Sequence, residues 1–284
     1  MALKNITIVI TAFKSDRKIR TCLNSIDKDV KVIIVENSNN HKFKEEIEKT
    51  YANVECIISG ENLGYARANN IGLKKVNTKY ALVLNPDTVL AKDALHNFFQ
   101  SISNYTDFTL LGPLPSQEKE LLKKYQFNNS EFIEVSDLKG FAIFFNMEKF
   151  KDKIFFDENY FLYFEEIDLC KTVKLHGGKI YINKNINILH EGGRSVDSKL
   201  ELEIEKNRNW HWMWSTFYYH RKYNGYFLAF LMIFPKLFSS LFKIIFYTLT
   251  LNRAKKRIYF QRFSGLINSI LLKPSWYRPK ILNV

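Results

Sequence analysis

The chain has 284 residues, enough for one large α/β domain and an appendage, and its 46% hydrophobic and 25% charged residues exclude wholesale disorder. Its net charge of +13 is a local property: the stretch from Lys206 to Val284 holds fourteen Lys and Arg and no Asp or Glu, leaving 28 basic and 29 acidic residues ahead of it. Two chemistries are therefore joined near residue 205, and the expected domains are 1–205 and 206–284.

The N-terminal MALKNITIVITAF has only a short apolar run, and Lys14, Asp16 and Arg17 follow at once, so it reads as a first strand rather than a signal peptide. Three scattered cysteines (Cys22, Cys56, Cys170) without CxxC spacing argue for a reducing compartment, the cytoplasm, and against a disulfide framework or a zinc site. Short β-branched apolar runs at 6–10, 30–35, 54–58 and 80–84 alternate with polar segments of helical spacing, such as Ile19, Cys22, Leu23 and Ile26. Continuous apolar strands separated by helices predict an α/β fold, a mostly parallel sheet with helices on both faces. Right-handed crossovers then put the strands' carboxyl ends on one edge, where ligands bind. Those ends carry Thr11-Ala12-Phe13, Glu36-Asn37-Ser38-Asn39, Gly60-Glu61-Asn62-Leu63-Gly64 and Asn85-Pro86-Asp87-Thr88. Small polar residues recurring at four successive ends suit a nucleotide pocket, although any single turn is polar for ordinary reasons. Residues 105–135 pattern weakly, with a strand near 132–135. Further strands are expected at 141–145, 179–182 and 186–189, and a helix entered through aromatics at 161–173.

Several residues could carry chemistry. Asp87, at a strand exit behind Pro86, can hold a metal, or can serve as the N-cap of a helix starting near Leu90. Glu165, Glu166 and Asp168 are three acids in four positions directly after an aromatic run. Apolar neighbours there raise proton affinity, as a general base needs, while acids at a helix start also complement its dipole. His190, followed by Gly192, Gly193, Arg194 and Ser195, can complete a metal site or face phosphates; a lone His is more often structural. Arg67 follows a Gly-containing turn at a helix start, where backbone N–H groups and a guanidinium meet phosphate, or it sits on a solvated face.

In chain order, the first strand and loop, VIIVENSN, NLGYARANNIG, LNPDT, KGFAIFFNMEKF, FDENYFLYFEEIDLC and the H-x-x-G-x-S phrase at His190 resemble the inverting family-2 glycosyltransferases of the GT-A fold, particularly the rhamnosyltransferase-like branch. The resemblance implies transfer of rhamnose or another hexose from a nucleotide-diphosphate donor to a lipid-linked or polysaccharide acceptor, with Mg2+ or Mn2+. It implies Asp87 as the surviving carboxylate of the DxD motif and His190 as a metal or diphosphate contact. It makes Glu166 the catalytic base, flanked by the acceptor-site acids Glu165 and Asp168. Donor contacts fall on Thr11, Ala12, Phe13, Glu36 (at the nucleobase), Asn62, Gly64, Arg67, Asn85 and Arg194, and the acceptor side on Gly140 and Phe141. Asn85 replaces the first Asp of DxD, Glu166 and Glu36 replace Asp, and Lys14 stands where Asn is usual. The rivals are a nucleotidyltransferase on a similar sheet and a catalytically inactive scaffold at the membrane.

In the tail, Phe230, Phe234, Phe238, Phe242 and Phe246 recur every four residues along an apolar segment, 226–251, long enough to suggest a membrane span. Pro235, Lys236, Ser239, Ser240 and Lys243 interrupt it, and each Lys would cost about 3 kcal/mol on insertion. The expectation is two interfacial amphipathic helices meeting near Pro235, with flanking Trp and Tyr at headgroup level. Lys255, Lys256, Arg257 and Arg262 then face anionic lipid on the inner side of the cell membrane. A homo-oligomer or a spanning helix is an alternative; nucleic acid does not fit the wholly apolar Phe stripe.

Overall fold

The computed structural model describes residues 3–104, 107–114, 130–190 and 198–278. Strand β1 (Ile6–Ala12) leads through helix α1 (Asp16–Asn24) to β2 (Lys31–Glu36), α2 (His41–Thr50), β3 (Val54–Ile58), α3 (Gly64–Lys74) and β4 (Tyr80–Leu84). The apolar runs of β1, β2 and β4 are buried almost end to end, as strands covered on both faces must be. They pair in parallel in the order β3-β2-β1-β4. Helix α3 approaches so closely that a Cβ on Gly72 would stand 2.4 Å from Val9 Cγ1, a contact only glycine avoids.

Beyond β4 come β5 (Thr88–Leu90), α4 (Ala94–Asn104), β6 (Leu110–Pro113), β7 (Phe132–Glu134), β8 (Ala142–Asn146), α5 (Glu165–Leu175), β9 (Ile180–Asn183) and β10 (Ile188–His190). Strand β8 runs antiparallel between β4 and β6, and β9 and β7 complete the eight-stranded order β3-β2-β1-β4-β8-β6-β9-β7. Strands β5 and β10 form a separate antiparallel pair. The chain thus has the expected mostly parallel α/β sheet, with two local corrections. The stretch 161–173 is not helical from its aromatic end, because Tyr163 and Phe164 sit at φ 70° and 71°, left-handed values that stop a helix, and α5 begins at Glu165. The residues after Asp87 form a strand rather than a helix start, since Thr88–Leu90 finds its partner in β10.

The chain divides into two compact units, Met1–Asp157 with Glu166–Ser195, and Glu158–Glu165 with Val196–Val284. The second contains α6 (Ser198–Asn224), α7 (Tyr226–Leu249) and α8 (Arg253–Ile270). Helix α6 runs unbroken through residue 205, so the acids cease in mid-helix. Met213, Phe217, Ala229, Ile233 and Leu266 form the core. Helices α6 and α8 touch at Gly265, where a Cβ would stand 2.3 Å from the Trp210 carbonyl oxygen.

Two tail expectations are also corrected. Helix α7 is one helix through Pro235, not two meeting there. The hydrogen bond that Pro235 forgoes would have ended on the carbonyl of exposed Leu231, while Ala229, Ile233 and Ser240, on both sides of the proline in sequence, are buried on the other side of the helix. Trp210 and Trp214 are interior side chains, their indole N–H groups donating to Ser264 Oγ (3.2 Å) and the Lys273 carbonyl (2.9 Å); Trp212 and Trp276 are the exposed pair.

Candidate active site

The carboxyl ends of the first three strands are knitted into one loop layer by Asn37. Its N–H donates to the Ala12 carbonyl (2.7 Å), and its Nδ2 donates to Asn62 Oδ1 (3.1 Å) and the Gly64 carbonyl (3.2 Å). The Leu63 N–H returns a bond to Asn37 Oδ1 (2.9 Å), and the Gly64 N–H donates to Asn62 Oδ1 (3.1 Å). Glu36, only 3% exposed, accepts from the Ser38 N–H (3.1 Å), the Ser38 hydroxyl (2.6 Å) and the Asn40 N–H (3.1 Å), so its carboxylate holds the turn after β2. Thr11 Oγ1 is buried without a hydrogen-bond partner at the exit of β1, with Phe13 half-buried just beyond it. Arg67 lies on the exposed side of α3. Arg194 lies outside the described residues.

The exit of β4 is fixed differently. The Asn85 N–H donates to the Phe141 carbonyl (2.8 Å), and the Asn85 carbonyl accepts from the Thr88 hydroxyl (2.7 Å), closing the Asn-Pro-Asp-Thr turn on itself. The β5–β10 register places Thr88 opposite His190. Asp87 Oδ1 and His190 Nε2 thereby come to 3.3 Å. The His190 ring stacks on Phe141 at 4.9 Å and 6°. Gly140, its neighbour, packs on Glu166: a Cβ there would lie 3.6–3.7 Å from Glu166 Cβ, Cγ and Cδ. The Tyr65 hydroxyl donates to the Gly140 carbonyl and ties this segment to α3. A continuous path of contacts, Asp87–His190–Phe141–Gly140–Glu166, results.

The two carboxylates are tuned in opposite directions. Burial raises the proton affinity of Asp87, but the hydrogen bond and charge of His190, aided by Lys18, outweigh it and leave the pKa below the ordinary value. For Glu166 burial prevails: its pKa is raised, and the N–H groups of Glu166 and Ile167 and the charge of Lys139 offset this only in part. Glu166 Oε2 is sealed from solvent and has no hydrogen-bond partner. Acids pushed apart in this way can divide the roles of charge-holder and proton acceptor. The flanking acids are buried as well. Glu165 and Asp168, three positions apart on α5, are 5% and 2% exposed, and Glu165 groups with the second unit.

Among the described residues no group of three or more His, Cys, Asp or Glu could hold a metal. The Asp87–His190 pair nevertheless fits a cation that takes its other ligands from phosphate and water. Octahedral donors about 2.1 Å from an ion stand roughly 3 Å apart when at right angles, close to the separation seen here. Sequence reasoning gave no role to Asn37, Tyr65 or Lys18. Asn37 and Tyr65 belong to the VIIVENSN and NLGYARANNIG segments, but their partners are 25 and 75 residues away, beyond any local pattern.

A sheet of this order carries an acid–histidine pair at the exit of its fourth strand and a second acid across the adjoining loop. Residues 7–168, more than half of the chain, match Glycosyl transferase family 2, and the protein belongs to that family. That membership sets aside the nucleotidyltransferase rival. The chain is similar to the low-salt glycan biosynthesis hexosyltransferase Agl10 of Haloferax volcanii, 23% identical over 208 residues, covering 66% of this chain and 64% of that protein. It thus spans slightly less than two thirds of that relative. It is similar also to the rhamnosyltransferase WbbL of Escherichia coli K12, 27% identical over 209 residues, 61% of this chain and 77% of that one. Among solved structures, the mannosyltransferase PcManGT from Pyrobaculum calidifontis, in complex with GDP-Man and Mn2+, matches with a TM-score of 0.61 at 10% identity over 95% of this chain and 88% of that one. At that identity the likeness speaks for the fold, which is GT-A.

Proposed function

We propose that the protein is an inverting, metal-assisted glycosyltransferase. It moves rhamnose or another hexose from a nucleoside-diphosphate donor to a lipid-linked or polysaccharide acceptor at a membrane surface. The observation that carries this reading is the contact path joining Asp87 and His190 to Glu166 through Phe141 and Gly140. Glu166, whose proton affinity burial raises, accepts the proton of the acceptor hydroxyl as that oxygen attacks the anomeric carbon. The bond from that carbon to the diphosphate oxygen breaks on the opposite face, so the configuration inverts. Asp87 and His190 would hold the divalent ion, which when bound neutralises charge on the departing diphosphate. Phe141 fixes the plane of the His190 ring, and Gly140 lies beside the Glu166 side chain, where even a Cβ would make only ordinary van der Waals contact. Thr11, Phe13, Asn85 and Arg67 contribute to the donor side. Replacing Glu166 by Gln keeps the shape and removes the base, so turnover should fall about a thousandfold while donor affinity is unchanged. Product formation with a panel of nucleotide sugars and calorimetric donor binding measure the two. Near wild-type turnover in that variant would end the assignment.

Residues 206–284 attach the enzyme to the membrane surface in this reading. Phe227, Leu231, Phe234, Phe238, Phe242 and Leu249 on α7 are exposed. At 100° per residue Lys236 and Lys243 fall outside the arc these residues occupy. Length and composition alone would let α7 cross a bilayer. An uncharged outer arc with its lysines on the far side fits an interfacial helix, with one face in lipid and the other on its own bundle.

A further inference from the structure

We propose that α7 and α8 build a site for the phosphate of an anionic lipid headgroup, formed by Lys243, Lys255 and Arg262 around Tyr247 and Tyr259. The two tyrosine rings stack at 5.5 Å and 21°. Lys243 Nζ lies 3.2 Å from the Tyr259 hydroxyl and 4.9 Å from its ring centre, and Lys255 Nζ lies 5.4 Å from the Tyr247 ring centre. The Arg262 guanidinium stands 5.8 Å from the Tyr259 ring centre, with Nη1 donating to Asn209 Oδ1 (2.9 Å). Aromatic faces attract these cations but do not neutralise them, and no acid follows residue 205. Glu203 and Glu205, the acids on the adjoining α6, pair with Lys206 and Arg208, which leaves these three cations open to a counter-charge from outside, and a phosphate accepts from Lys and Arg donors together.

What makes that phosphate a lipid's is the apolar surface beside it. Phe246 touches Tyr247 at 5.2 Å between ring centres, and Leu249 and Leu251 are 78% and 83% exposed at the same end of α7. A headgroup on the tyrosine pair would lay its acyl chain along these three. The proposal rests on the membrane attachment above and names the residues that read the lipid.

The test is partition of the full chain onto phosphatidylcholine vesicles with and without phosphatidylglycerol. The wild type should bind both, and the mixed vesicles more tightly. A Lys243→Gln/Lys255→Gln/Arg262→Gln variant should keep its binding to phosphatidylcholine and lose the phosphatidylglycerol-dependent gain, on the order of a hundredfold for three basic residues. An Arg253→Gln/Lys256→Gln/Arg257→Gln variant removes the same charge from the same helix–loop region and should retain about tenfold more of that gain. Equal losses in the two variants would reduce the effect to a diffuse field and overturn the site, as would a wild type indifferent to phosphatidylglycerol. A wild type that binds neither vesicle would instead overturn the membrane attachment itself.

Discussion

The two units handle charge in opposite ways. In the first, 27 basic residues meet 23 acidic ones, and polar side chains close on one another: Glu36 on its own turn, Asn37 on Asn62, Asp87 on His190. In the second, beyond residue 205, cations rest on aromatic rings, as Lys243 and Arg262 do on Tyr259 and Arg278 does on Phe161. The contrast separates two kinds of function. A site made of a few atoms held by neighbouring side chains can be silenced by changing one of them without unfolding anything. A surface whose counter-charge lies outside responds to charge substitutions only when its partner is present, and to packing substitutions always.

After the loss expected at Glu166, the largest effect tests the first half of that contrast. Asp87→Asn preserves size and removes the charge that His190 and Lys18 hold in place. Turnover should fall a hundredfold or more, on the order of losing one preorganised electrostatic partner, and Mn2+ binding in the presence of nucleoside diphosphate should weaken. Vesicle binding should not change. An unaltered Mn2+ titration would remove Asp87 from the metal. The complementary substitution is Gly265→Ala, whose new methyl would meet the Trp210 carbonyl at 2.3 Å and cannot be relieved by a rotamer change. The overpacked crossing of α6 and α8 should lose about 3 kcal/mol, read as a lower thermal transition. Donor binding just below that transition should persist. If it vanished in step, the two units would unfold as one and the contrast would collapse.

How much of this was legible in the sequence follows the same division. Strands β1 to β4 are continuous apolar runs bounded by polar turns, and each formed close to where its pattern lay. Strand β6 was not anticipated, because Leu110–Pro113 contains Gly and Pro and becomes a strand only by lying between β8 and β9. Tyr163 and Phe164 read as helix because their apolar bulk fits a helical face; side-chain type does not disclose a left-handed backbone. Asp87 and His190 each stood out as a polar residue at a strand exit. Their meeting depends on the β5–β10 register, a pairing about a hundred residues apart in sequence that no local period encodes. Pro235 misled for the converse reason: its local cost is real, but packing on either side of it decides the helix.

A smaller effect sharpens the account of Glu36. Glu36→Gln leaves a single acceptor where two oxygens now receive three hydrogen bonds, so stability should fall by about 1–2 kcal/mol. If the carboxylate only holds its turn, affinity for the donor nucleotide should follow that loss no further. A drop in affinity confined to one nucleobase would give Glu36 the direct contact that the family resemblance implies.

The smallest effect, a pH dependence, is the most diagnostic of the site. Burial raises the pKa of Glu166 in the folded protein above the ordinary carboxylate value, about 4.3. Between those two values the native state binds more protons than the unfolded chain, so this group's contribution to stability is complete below the ordinary value and is lost as pH rises through the raised one. Turnover has the opposite sign, because a general base must be ionised: it should climb through the same raised value. Glu166→Gln should therefore match the wild type in thermal midpoint at low pH and exceed it above the raised value, while its residual turnover loses the rise. A Gln variant less stable than the wild type at pH 8 would mean that the ionised carboxylate is held by a stabilising partner. A carboxylate so held is a poor proton acceptor, and the base would have to be sought elsewhere on the sheet edge.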